Sequence, residues 1–200
     1  MAEGSFQRIP YLIVFDEVSA FKDTYGGAIG KVAVEAMHLR PDVPSDSVVI
    51  FSHPIGGGSW LPLVSNLARM GVHTIYCNTR YRGNETALIM ERAVMDFGAC
   101  IRHAREKLGY KKVYLGGWSG GGAQSLFYQA EAQDPRVTHT PAGDPYDLTA
   151  AGFVQTARYI GADTLELNLD PSAGSVYFNE SRMGRAGDLV PTWIEEILGS

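Results

Sequence analysis

Short apolar runs recur along the first part of the chain and predict the strands of a sheet. The segment Ser47–Ser52, SVVIFS, is rich in β-branched residues and is bounded by prolines, a pattern typical of a buried parallel strand. Residues 72–77 and 112–116 have the same character. Residues 11–15 and 30–39 are expected to supply two earlier strands, for which an antiparallel arrangement stays open.

Amphipathic segments with helical spacing alternate with these runs. Residues 62–70 begin with a proline, which suits the first helical turn, and Gly71 suits the position just after the last turn. Residues 86–108 place apolar side chains at steps of three or four and stop at Gly109. A third helix is expected over residues 122–133, directly after the strand 112–116.

The alternation predicts an α/β fold with a mostly parallel sheet, right-handed crossovers and helices on both faces. The whole chain, residues 1–200, is interpreted as a single domain of this kind. The segment 134–150 is crowded with proline, aspartate, glycine and threonine, so we predict a lid or entrance loop there. Residues 151–200 show no clear periodicity of hydrophobic positions, and the C-terminal part of the fold is expected to be shortened or irregular.

Composition and charge argue against some classes of function. The 200-residue chain has 45% hydrophobic residues and a net charge of −5, values ordinary for a globular domain that argue against nucleic acid as the main partner. No stretch is long and apolar enough for a signal peptide or a membrane span, so we expect a cytoplasmic protein without membrane contact. The two cysteines, Cys77 and Cys100, are expected to be reduced and buried.

The strongest chemical signal is a serine between glycines, where the strand 112–116 passes straight into a helix. Gly117, Ser119 and Gly121 form the pattern G-x-S-x-G. A strand that turns at once into a helix strains the corner residue, so the positions two before and two after it must be small. The turn would lift the Ser119 hydroxyl clear of the sheet, beside the first free N–H groups of the helix. The spacing fits neither a P-loop nor a dinucleotide-binding loop.

A second glycine run, at residues 53–58, follows the strand Ser47–Ser52. A tetrahedral intermediate of acyl transfer needs two N–H donors for its oxyanion. We predict that Gly120, next to the nucleophile, supplies one donor and that Ile55 supplies the other, with Gly56 as the second choice. His53 is expected to shape the loop by hydrogen bonding. No metal ligand set at suitable spacing accompanies it.

These segments together resemble the α/β-hydrolase family over roughly residues 30–150. The matching motifs are H-P-I-G-G-G at 53–58, R-Y-R-G-N-E at 80–85 and G-W-S-G-G-G at 117–122. The sequence of residues 140–149, T-P-A-G-D-P-Y-D-L-T, is similar to a segment found in a bacterial subgroup of the family.

The resemblance implies hydrolysis of an ester or thioester without a cofactor. It implies Ser119 as nucleophile, with Gly120 and Ile55 as oxyanion donors. It also implies that Arg82 and Gly83 lie in a loop that supports the turn at the serine.

The histidine that should complete this chemistry is missing from the expected place. Family members have an acid and then a histidine after the serine, but of the five histidines only His139 follows Ser119. Three explanations are open, in this order: a truncated or altered hydrolase, a weakly active protein of the fold that acts by binding, or His139 as an unconventional base. No acidic residue after Ser119 has a recognisable strand-end context; the candidates are Asp144, Asp147, Asp163, Asp170 and Asp188.

The sequence therefore predicts a hydrolase that forms an acyl-enzyme at Ser119 with a small carboxylic ester or thioester. The alternatives are a non-catalytic binding module and an acyltransferase or lyase on the same fold. We expect a small-molecule partner, no cofactor and no bound metal. The sequence fixes neither the substrate nor the oligomeric state.

Overall fold

The structure is a computed structural model, and it describes residues 4–17, 30–59, 61–117 and 120–132. The predicted loop 134–150 and the irregular segment 151–200 therefore lie outside the described residues, and so does part of the single domain predicted for the whole chain. His139 and the C-terminal aspartates lie outside them as well.

Five strands and three helices make up the described part. They are β1 (Phe6–Asp16), β2 (Lys31–Pro41), β3 (Ser47–Ser52), α1 (Pro62–Arg69), β4 (Thr74–Cys77), α2 (Met90–Glu106), β5 (Lys112–Gly117) and α3 (Gly120–Ala132). The order of strands in the sheet is β1-β2-β4-β3-β5. The central strand β3 runs parallel to both β4 and β5, whereas β2 runs antiparallel to β1 and to β4. The predicted α/β class is confirmed, and the parallel pairing is confined to β4, β3 and β5.

Alternate residues of the strands build two cores, one on each face of the sheet. On one face, Val48, Ile50 and Leu115 pack with Phe97 and Ile101 of α2. On the other face, residues that include Val49 and Phe51 pack against α1. Each fully buried aliphatic or aromatic side chain of this kind contributes about 1.5–3 kcal/mol to folding. Helices thus cover both faces, as predicted, and Cys77 and Cys100 are buried free thiols.

The second helix begins later than the sequence predicts. We expected it from residue 86, but α2 starts at Met90. Residues 83–88 are exposed and Thr86 Oγ1 donates to Asn84 Oδ1 at 2.7 Å. A helical turn there would bury nothing, and burial of an apolar face is what makes short helices stable. Gly71 and Gly109 follow α1 and α2 with positive φ, as their predicted roles require. Within the described ranges, no helix combines the length and apolar character needed to cross a membrane.

Candidate functional site

The loop after β3 and the start of α3 lie side by side at the carboxyl ends of β3 and β5. These strands are parallel neighbours, with Ser52 opposite Gly117. The loop after β3 leads to α1 on one face, whereas α3, which follows β5, reaches the core of the other face through Tyr128. A point where successive helices pass to opposite faces opens a crevice at the strand ends, which is the usual ligand position in open α/β sheets.

The turn from β5 into α3 has no room for side chains at its glycines. A β-carbon built on Gly117 would clash with the backbone of Gly121 and Gly122. A β-carbon on Gly121 would clash with the carbonyl oxygen of Ser52, at the end of β3. The requirement for small residues two before and two after position 119 is therefore confirmed by the packing of the described glycines.

Gly120 is the first residue of α3, and the first N–H groups of a helix have no acceptor within the helix. A β-carbon built on Gly120 would lie 3.3 Å from His53 Nε2 and 3.5 Å from Pro54 Cδ. The loop after β3 and the start of α3 are therefore in contact. The predicted nucleophile Ser119 and its neighbour Trp118 lie outside the described residues.

Hydrogen bonds hold the loop 53–58 in one shape. Gly56 N–H donates to the carbonyl oxygen of His53 at 2.8 Å, and Ile55 N–H donates to His53 Nδ1 at 3.3 Å. Gly56 and Gly57 have φ of 71° and 84°, a region that glycine adopts without steric cost. His53 shapes this loop, as the sequence predicts.

The loop after β4 fastens the glycine loop from the side. Gly57 N–H donates to Asn78 Oδ1 at 2.9 Å, and the Thr79 hydroxyl donates to the Pro54 carbonyl oxygen at 2.5 Å. A β-carbon on Gly56 would lie 3.0 Å from Arg82 Cβ. The role of Asn78 and Thr79 cannot be predicted from the sequence, because their hydrogen-bond partners lie more than twenty residues away in the chain.

The protonation state of His53 follows from its hydrogen bond. Because Nδ1 accepts the N–H of Ile55, the neutral ring carries its proton on Nε2, the atom that faces Gly120. Burial lowers the pKa of His53, and Glu85 opposes this with a smaller rise. The neutral form with a donating Nε2–H is therefore favoured near neutral pH.

A buried ion cluster supports the loop after β4 from the side of α2. The Arg80 guanidinium donates to Asp96 Oδ1 at 2.7 Å and to Glu17 Oε2 at 2.6 Å, and Arg80 N–H donates to Asp96 Oδ2 at 2.8 Å. The side chains of Asp96 and Glu17 are 0% and 2% exposed. Burial raises the pKa of Asp96, and the bonds from Arg80 oppose that rise. Arg82, by contrast, pairs with Glu35 at the surface, so the buried arginine of the motif is Arg80.

The other described histidines lie at the opposite end of the sheet. His73 Nε2 donates to the Val43 carbonyl oxygen at 2.7 Å, so its Nδ1 accepts from the Tyr110 hydroxyl at 2.6 Å. That hydroxyl in turn accepts from His38 Nε2 at 2.9 Å. These residues stand near the amino ends of β4 and β5, away from the crevice. The described residues hold no group of three or more side chains suited to a metal ion.

Among curated proteins, short matches lead to NAD-dependent protein deacylases. The chain is 51% identical over 49 residues to such an enzyme from Leishmania major, covering 24% of this chain and 20% of that protein. It is 49% identical over 67 residues to one from Caulobacter vibrioides, covering 34% and 27%. The chain thus spans about a fifth to a quarter of the length of these relatives.

Solved structures with a similar fold are α/β hydrolases. A dienelactone hydrolase from Anabaena variabilis superposes with a TM-score of 0.67 at 15% identity, over 96% of this chain and 98% of the other. An α/β serine hydrolase homologue from Coxiella burnetii gives a TM-score of 0.58 at 18% identity, over 81% and 92%. The model of the α/β hydrolase fold matches residues 47–161, more than half of the chain. From the sheet order, the glycine-packed turn and this match, the chain belongs to the α/β hydrolase fold family.

Proposed function

We propose that the chain is a serine hydrolase that forms an acyl-enzyme at Ser119 with a small carboxylic ester or thioester. One observation carries the proposal: β-carbons are sterically excluded at Gly117 and Gly121. A turn packed this closely on both sides of one serine is what a nucleophile at a strand-to-helix corner requires. The family membership supports the same chemistry.

The oxyanion would be held by N–H groups of Gly120 and Ile55. Gly120 begins α3, so its N–H has no acceptor within the helix. Ile55 N–H already donates to His53 Nδ1, but that bond, at 3.3 Å, is longer than those of Gly56 at 2.8 Å and Gly57 at 2.9 Å. The longest bond is the weakest, so Ile55 is the loop donor that most readily turns to a developing charge.

The general base is the part of the mechanism that needs assignment. His53 lies beside Gly120, yet its Nε2 carries the proton, so it would donate to a substrate oxygen and not accept the proton of Ser119. His139 is the remaining candidate after the serine. Oxyanion stabilisation and binding alone leave about 10³–10⁴-fold rate acceleration when a triad member is absent. Slow turnover is therefore expected even without an efficient base, and the share that Ser119 contributes is the share lost in Ser119→Ala.

The test is hydrolysis of p-nitrophenyl acetate and butyrate, combined with labelling by a fluorophosphonate. Ser119→Ala should abolish the labelling and lower the turnover, whereas Ser45→Ala, at an exposed position far from the crevice, should change neither. His139→Ala should slow acylation if that histidine is the base. Equal turnover by wild type and Ser119→Ala would refute the nucleophile assignment.

The alternatives give different results in the same assays. A non-catalytic binding module would show neither labelling nor turnover that depends on Ser119. An acyltransferase would form more ester product when an alcohol acceptor is added, and a lyase would release product without consuming water.

The matches to NAD-dependent protein deacylases supply a second candidate activity. They concern 49 and 67 residues, shorter than or near the lower limit of a typical domain. Release of nicotinamide from NAD in the presence of an acylated peptide would support this activity. Its absence, together with ester turnover, would leave the serine hydrolase proposal standing alone.

A further inference from the structure

A cavity of about 480 Å³ lies between the β1–β2 pair and the loops that follow β3 and β4. Its volume is within the range of about 300–1,000 Å³ that is usual for small-molecule sites. Residues of β1 and β2 line it, among them Leu12, Glu35 and Met37, together with Asn78 and Arg82 from the segment after β4. No step of the proposed mechanism uses this space.

The floor of the cavity is apolar and partly exposed. Leu12, on the edge strand β1, is 65% exposed, the highest exposure among the large hydrophobic side chains of the described residues. Leu12 is opposite Glu35 and Pro10 is opposite Met37 in the sheet, so these residues share one face. Small-molecule sites commonly combine apolar lining of this kind with a few polar groups.

The polar side of the cavity belongs to the loop that fastens the glycine loop. Asn78 accepts the N–H of Gly57, and Arg82 Cβ lies 3.0 Å from where a β-carbon of Gly56 would be. The cavity therefore adjoins the loop that carries the proposed oxyanion donor Ile55. A substrate that reaches from the crevice past this loop would place its far end here.

The charge in the cavity is balanced. The Arg82 guanidinium pairs with the Glu35 carboxylate, and both side chains are more than half exposed. A bound anion would have to compete with Glu35 for Arg82, and a bound cation with Arg82 for Glu35. An uncharged group avoids both costs and still gains from burial against the apolar floor.

We propose that this cavity binds the uncharged, apolar acyl or alkyl chain of the ester substrate, with Leu12 and Met37 as its selecting residues. The assignment to an ester rests on the proposed function. The cavity itself is a site for an uncharged aliphatic chain whether or not Ser119 is a nucleophile.

The experiment compares Leu12→Asp with Val14→Asp. Val14 is on the same strand and face, is 53% exposed, and does not line the cavity, so it is a matched control for charge on the edge strand. The ratio of kcat/KM for p-nitrophenyl octanoate to that for the acetate should fall about tenfold or more in Leu12→Asp. The loss should appear in KM with kcat nearly unchanged, and Val14→Asp should match the wild type.

A measurement that does not depend on catalysis separates this proposal from the function. Binding of 1-octanol is followed by chemical-shift changes in NMR spectra of the full chain. Saturable binding to wild type and Val14→Asp, with weaker binding to Leu12→Asp, supports the cavity even if no ester is hydrolysed. Ester turnover with unchanged chain-length preference in Leu12→Asp, equal losses in both variants, or no octanol binding to the wild type would overturn it.

Discussion

Replacing Arg80 with methionine removes the cation that two buried carboxylates share. Arg80 donates to Asp96 and to Glu17, whose side chains are 0% and 2% exposed. In the described part of the chain Arg92 also approaches Glu17, with its Nε 3.6 Å from Glu17 Oε1, a longer contact than the 2.6 Å bond from Arg80. Methionine keeps much of the apolar volume of the arginine side chain, so the loss of stability mainly reports the free energy of leaving the two buried carboxylates without this cation.

The expected loss is large, since breaking a buried pair by removing one partner costs about 3–5 kcal/mol. That is a substantial part of the roughly 5–15 kcal/mol by which domains are stable. Arg82→Met is the matched control, because Arg82 and Glu35 are 55% and 62% exposed. An exposed pair of this kind contributes at most about 1 kcal/mol.

The test is urea unfolding followed by far-ultraviolet circular dichroism, which gives the free energy of unfolding of the wild type and both variants at pH 7 and at pH 5. Burial already raises the pKa of Asp96, and Arg80 opposes that rise. Without Arg80 the carboxyl takes up a proton at higher pH in the folded state, so acid should narrow the gap between Arg80→Met and wild type. Similar small losses in both variants, or a gap that widens at pH 5, would contradict the buried-pair argument.

Three further changes test other parts of the structure. Burial is the main reason that the pKa of His38 falls to about 4 in the folded chain; the unfolding free energy should therefore drop by up to roughly 3 kcal/mol as pH falls from 6.5 to 4, and His38→Gln should flatten this dependence in urea titrations. Gly117→Ala should prevent folding or lower the melting temperature sharply because of its backbone clash, whereas Gly30→Ala, which meets nothing within 4 Å, should be close to neutral by calorimetry. Asn78→Ala should speed hydrogen exchange at the Gly57 amide, which loses its acceptor, and unchanged exchange would show that Asn78 does not fasten the loop.

The elements that the sequence predicts well are those whose pattern is local. The strand Ser47–Ser52 is found at its predicted bounds, because a continuous β-branched run between breakers has few other uses. The sequence does not decide whether the first two strands are parallel or antiparallel to the rest, since that direction depends on how β2 pairs with β4 in the fold. The predicted start of α2 is wrong by four residues, because whether the preceding segment is buried depends on the tertiary fold and not on the local pattern.

The features of the site also fall into those that the local sequence predicts and those that only the fold reveals. The need for glycine at position 117 can be predicted from the sequence because its β-carbon would meet Gly121 and Gly122, four and five residues further on, whereas the contact of Gly121 with Ser52 appears only in the fold. The Arg80 cluster is not, because Glu17 and Asp96 are 63 and 16 residues away from Arg80. A single acid on a helix face gives no sign of burial until its partner is placed. The family resemblance implies a supporting role for the loop at Arg82 and Gly83, and the packing shows that the buried arginine of the motif is Arg80.

The contact between Gly121 and the carbonyl group of Ser52 joins main chain to main chain across the crevice. The distance between the two segments is therefore set by peptide groups, and side-chain changes away from the packed and positive-φ glycines should alter what lines the crevice without moving its walls. A directed library for new substrates can vary the Ile55 side chain, with proline left out to keep the N–H, while the glycines stay fixed. Its members should keep the parental spacing and differ in selectivity alone.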